Sequence, residues 1–181
     1  DILKSTVCLD PAGGRRAASV GTGHPVQIEG DCAVLFVLTS SGYWTKTPAG
    51  TRNLPKTEVA TPLKAWRSFE SVKHLAGPAP VITATLGAPL EIVPVQDPFA
   101  LRDGDKLTVR VLADGKPVAG AVVSYDGKAR GETAGEGTVN IRLRHDGLQL
   151  IQATVRTPHA GPEADEVIHT TALTFALGSA R

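Results

Sequence analysis

His159 and His169 bracket Glu163, Asp165 and Glu166 near the end of the chain, a dense grouping of side chains able to hold a metal. Imidazole suits nickel or cobalt and carboxylates can complete an octahedral set, so this stretch is a candidate site for a divalent transition metal, Ni or Co. The same residues read also as an acidic surface loop with two bystander histidines. His24 stands in Gly21-Thr22-Gly23-His24-Pro25, a glycine-rich turn that would present its ring to an ion or simply to water. Cys8 and Cys32 are the only cysteines. No CxxC spacing or neighbouring histidine marks them as metal ligands. A single pair in an exported chain reads as a disulfide, and two buried thiols in a cytosolic protein are the other reading. Neutral imidazole is then the strongest nickel or cobalt ligand left, and affinity would fall as the pH drops through about 6.5.

Catalytic patterns are few. The sequence has no Gly-x-Ser-x-Gly elbow, no HExxH and no phosphate-binding loop. Asp103 and Asp105 stand in Arg-Asp-Gly-Asp-Lys before a strand, which is an ordinary polar turn. Tyr43 and Trp44 could stack on a sugar ring, although aromatics after an apolar strand more often close a core. His74 fits the end of a helix, where a cation complements the dipole, and His145 reads as the neighbour of a turn. These features favour a non-enzymatic protein.

The elements that must carry these residues are strands. Leu90–Val95, Leu107–Leu112, Ala121–Tyr125, Val139–Leu143, Leu148–Val155 and Thr171–Phe175 are short and apolar or alternating. Asp103-Gly104, Asp114-Gly115, Asp126-Gly127 and Asp146-Gly147 separate them, and Asp-Gly supplies the positive φ angles of tight turns. Residues 81–181 therefore predict an immunoglobulin-like β-sandwich. In residues 1–80 strands are expected near Leu3–Leu9, Arg15–Val20, Val26–Glu29 and Ala33–Thr39. Thr61-Pro62 then reads as a helix start and Gly77 as its stop. Between them Leu63, Trp66, Phe69, Val72 and Leu75 recur every third residue, which predicts a helix near 62–76 with Lys64, Arg67 and Lys73 on its solvated face. The fold class expected is mainly all-β: the sandwich plus a β-rich N-terminal lobe with one short helix.

Composition excludes some classes. A net charge of +1, with Lys and Arg scattered, argues against nucleic acid as a partner. No run approaches the roughly 18–20 apolar residues of a transmembrane segment. The sequence opens at Asp1 and contains no Met. A removed signal peptide would account for that, so a periplasmic or otherwise exported location is expected.

Four stretches resemble a known family: Gly42-Tyr43-Trp44 with Thr47-Pro48-Ala49-Gly50, Trp66 to Lys73, Pro89 to Pro94 leading to Asp97-Pro98, and Leu101 to Ala121. Gly23-His24-Pro25 and Ala172-Leu173-Thr174-Phe175 fit the same pattern. The family is one of uncharacterised exported bacterial proteins, a domain of unknown function commonly labelled the periplasmic component of cobalt or nickel transport. The resemblance implies an exported binding or accessory protein associated with cobalt or nickel uptake and with a membrane metal-transport complex. The alternative expectation is a structural module of the cell envelope that binds proteins or glycans through its β-sandwich.

Overall fold

Along Lys106–Ala113 the residues Leu107, Val109 and Val111 are wholly buried, while Lys106 before them and Arg110 among them face water. This period of two is the signature of a strand with one face on a core. The computed structural model describes residues 2–21 and 27–178. Its strands are β1 (Leu3–Leu9), β2 (Arg15–Arg16), β3 (Ser19–Val20), β4 (Ile28–Glu29), β5 (Val34–Thr47), β6 (Gly50–Arg52), β7 (Lys64–Leu75) and β8 (Glu91–Pro94). They continue with β9 (Lys106–Ala113), β10 (Lys116–Pro117), β11 (Val122–Tyr125), β12 (Lys128–Glu132), β13 (Thr138–Arg142), β14 (Gly147–Pro158) and β15 (Glu166–Leu177). Among the described residues the helical elements are short 3-10 turns, such as Pro80–Thr83.

Two sheets face each other. The larger runs β12-β11-β14-β15-β7-β5-β1-β2, with β6 added to β5. The smaller runs β10-β9-β13, with β8 on the other side of β9. Their inner faces share one apolar core, to which Ile92, Val109 and Ile141 come from the small sheet and Leu75, Val123, Ile151 and Leu173 from the large one. The all-β sandwich expected from the sequence is the fold found. Two of the Asp-Gly pairs close two-residue hairpins, β9–β10 and β11–β12, with positive φ at both Asp and Gly: 49° and 76° at 114–115, and 49° and 72° at 126–127. Cys8 and Cys32 form a disulfide with Cα atoms 5.2 Å apart, tying β1 to the approach of β5.

The helix expected near 62–76 is instead the strand β7, antiparallel to β5 and parallel to β15. The physical reason is that two of its buried positions are polar. Ala65, Ser71, Lys73 and Leu75 point inward at every second residue, whereas Val72 is 42% and the preceding Leu63 is 61% exposed. Ser71 and Lys73 hide the alternation, and the apolar period of three is coincidental, since it takes Phe69 and Leu75 from the inner face and Trp66 and Val72 from the outer one. Trp66 and Phe69, expected on the apolar stripe of that helix, are both half-buried. Thr61, expected as the helix cap, has a φ of 54° and turns the chain into the strand. The boundary expected at residue 80 does not separate two sheets, because β1, β5 and β7 share the large sheet with β11, β14 and β15.

Candidate functional site

The residues expected to hold a metal serve separate local roles. His159 follows β14, its N–H donating to the Asp165 carbonyl at 3.1 Å and its Nε2 lying 3.4 Å from a Glu163 carboxylate oxygen. Asp165 accepts from the Lys56 ammonium and, at 2.7 Å, from the Ala65 amide. These bonds, that to Lys56 first, hold its carboxyl below the usual range. Glu166 takes Lys64 at 2.9 Å and Arg156 at 2.7 Å. His169 lies in β15, on the inner face, with Nε2 3.4 Å from the Ser71 hydroxyl. Desolvation lowers it to about 4, so the ring is neutral at physiological pH. His24 lies outside the described residues. Among the described residues no three His, Cys, Asp or Glu side chains converge as a metal site would require.

A different set does converge. The inner face of β7 is covered by the small sheet at Ser71, whose hydroxyl donates to the Leu90 carbonyl at 3.1 Å, and is buried again at Ala65. Between these limits Arg67 and Phe69 are half-exposed. On β5 the alternation Val34, Phe36, Leu38, Ser40 points inward and would next bring Gly42 and Trp44 to this face. A bulge between Ser40 and Gly42 shifts the register and sets Tyr43 opposite Arg67 instead. Slipping by one residue exchanges the two faces of a strand, so the bulge is what puts the phenol inside and Trp44 outside. Gly42, with φ of 83°, takes the conformation that the bulge needs. The Ser40 hydroxyl donates to Ser68 O at 2.8 Å, and Asn53 Nδ2 donates to Ser41 O at 2.9 Å and Tyr43 O at 2.7 Å, fastening the bulge.

The product is a framed cation. The Arg67 guanidinium carbon lies 4.9 Å from the Phe69 ring centroid and 5.4 Å from that of Tyr43. The Tyr43 ring meets His159 edge-on at 5.9 Å, and Phe69 meets His169 at 5.8 Å. Cation–π contact holds the guanidinium in place but uses none of its N–H donors. Among the described residues no carboxylate or carbonyl accepts from Arg67, and the Tyr43 hydroxyl has no hydrogen-bond partner. Donors of this kind, half-shielded from water and aimed at nothing in the protein, are suited to a ligand acceptor.

A family whose description is "Domain of unknown function (DUF4198)" matches residues 6–157. The chain belongs to this family. No curated protein and no solved structure matches the chain. Membership agrees with the resemblance drawn from Tyr43, Trp66 and the later strands, and it brings no statement of activity. DUF4198 covers every residue of the framed cation except His159 and His169.

Two further polar clusters hold the fold itself. Lys73 and Glu91, both wholly buried, pair at 2.9 Å. Lys73 also donates to Ala84 O at 2.8 Å, and Glu91 accepts the amides of Leu86 at 2.8 Å and Gly87 at 3.0 Å, so the pair pins the 84–87 segment over the large sheet. His145 places Nδ1 2.8 Å from Asp146 O and Nε2 2.7 Å from Asp126, stacked on Tyr125 at 5.9 Å. Sequence reading singles out Tyr43 but assigns Arg67 to a solvated helix face and Phe69 to a core stripe. The alternation Arg67-x-Phe69 is the available signal, and the bulge that brings Tyr43 beside them has none beyond Ser40-Ser41-Gly42.

Proposed function

We propose that this DUF4198 protein is an exported, non-enzymatic interaction module of the cell envelope whose ligand docks on the platform of Tyr43, Arg67 and Phe69. The observation carrying this reading is the guanidinium of Arg67, fixed between two rings with its donors unspent. The Cys8–Cys32 bond supports an exported location, since disulfides persist in oxidising compartments. The non-enzymatic reading is supported at Ser71, the hydroxyl beside an imidazole: it is buried and already donates to a carbonyl, which leaves it no role as a nucleophile. An association with cobalt or nickel uptake, and with a membrane transport complex, draws its support from the sequence resemblance. Titration of the intact chain with either ion tests that association directly.

Retention of the chain on immobilised cell-envelope material tests the module reading. The wild type is expected to be retained, and Arg67→Gln at least tenfold less so at an unchanged unfolding midpoint. Equal retention of the two would overturn it.

A further inference from the structure

We infer that the group recognised by Arg67 is the carboxylate of an acidic sugar residue, an inference that rests on the platform reading above. The guanidinium is planar and presents paired N–H donors that match the two oxygens of a carboxylate. The rings of Tyr43 and Phe69 flank it at 5.4 and 4.9 Å, displacing water and lowering the local dielectric, which strengthens a charge pair. The Tyr43 hydroxyl, which has no hydrogen-bond partner among the described residues, is a further donor carried by the same ring. Among the described residues Arg67 is the only cation over these rings, and one positive charge matches a singly charged carboxylate.

The surroundings favour a sugar over an acidic peptide. Extended peptides bind sheets by pairing with an open strand edge. The platform lies on β5, β7 and β15, which are interior strands whose main-chain groups already pair with their neighbours. On the edge of β5 away from β7, between its pairings with β1 and β6, Asn53 occupies the carbonyls of Ser41 and Tyr43. A peptide lying here would bury amides with no partner, and that cost would offset what its side chains could contribute. A pyranose carries no such amides. Its C–H face can rest on the exposed parts of the Phe69 and Tyr43 rings while its hydroxyls stay in water.

Titration calorimetry of the full, disulfide-bonded chain tests this with tetragalacturonate, its methyl ester and an Asp/Glu tetrapeptide. Tetragalacturonate is expected to bind at least tenfold more tightly than the ester and the peptide, and more weakly as salt is raised. Arg67→Lys, which keeps the charge but loses the fork, should lower affinity at least fivefold with unchanged circular dichroism. Equal affinity for acid and ester, tighter binding of the peptide, or no binding by the folded wild type would each overturn the inference. If envelope retention still depends on Arg67 in that event, the module reading stands and only the acidic sugar falls. Envelope retention independent of Arg67 would remove the module reading itself.

Discussion

Lys73 and Glu91 have no exposed surface and pair with each other inside the protein. Burial draws the lysine below its usual range, and the charge of Glu91 works against that. Lys73→Met would strand a carboxylate in the core and is expected to cost about 3–5 kcal/mol, whereas Lys73→Met with Glu91→Leu should recover much of the loss. Urea unfolding of the two variants measures this, and strictly additive losses would contradict the pairing. His169 makes stability depend on pH. The unfolded chain protonates a histidine near 6.5, the folded protein only at about 4. As the pH falls from 6.5 to 4 the unfolded state binds the proton first, so stability drops across that window and levels off below it. The shift is worth roughly 2 kcal/mol after allowance for the partly exposed ring, and His169→Gln should flatten this part of the profile. His145 acts in the opposite sense, because the Asp146 carbonyl and then the Asp126 carboxylate raise it. Its contribution is complete below about 6.5 and is lost as the pH rises through the raised value. Proton titration of the two rings by NMR distinguishes them.

At the level of elements, β7 separates a strand from a helix by substitution. Val72→Thr on the exposed face should change stability by less than about 0.5 kcal/mol, while Leu75→Ala, 1% exposed, should cost about 2–5 kcal/mol. A helix with its stripe on Leu63, Trp66, Phe69, Val72 and Leu75 would make both substitutions costly. Much of the remaining fold is legible in the sequence. Leu3–Leu9 is β1 to the residue, and Asp114-Gly115 and Asp126-Gly127 mark hairpins because few other dipeptides accept two positive φ angles in succession. What is hidden has a common physical cause, in that tertiary partners override local pattern. Lys73 can sit at a core position only because Glu91 faces it, and Glu91 is 18 residues away. Tyr43 turns inward only because a bulge held by Asn53 resets the strand. The candidate site depends on the second of these non-local facts, so only Tyr43 of its residues is suggested by sequence reading.

For the whole molecule, the disulfide and the order of strands govern folding. Reducing Cys8–Cys32, which closes 24 residues of separation, is expected to lower stability by about 3 kcal/mol, read as a drop in the urea midpoint on adding reductant. The ends of the large sheet are blunted: β2 has two residues, and β12 carries Lys128, Arg130 and Glu132 with a bulge against β11. Edge-to-edge association is thereby discouraged, which keeps traffic with other molecules on the faces of the sheet. A chain ending at Pro158 would lose β15, and we expect it to show no cooperative unfolding transition in near-ultraviolet circular dichroism. The parallel pairing of β7 with β15 joins residues 100 apart in the chain, and β15 is flanked on its other side by β14. During synthesis the ribosome makes every other strand of the large sheet before the one that must lie at its centre. Until residues 166–177 emerge, β7 and β14 each present an open border, so the sheet forms late and through contacts distant in sequence. A chain with this strand order cannot close the large sheet until residues 166–177 have been made.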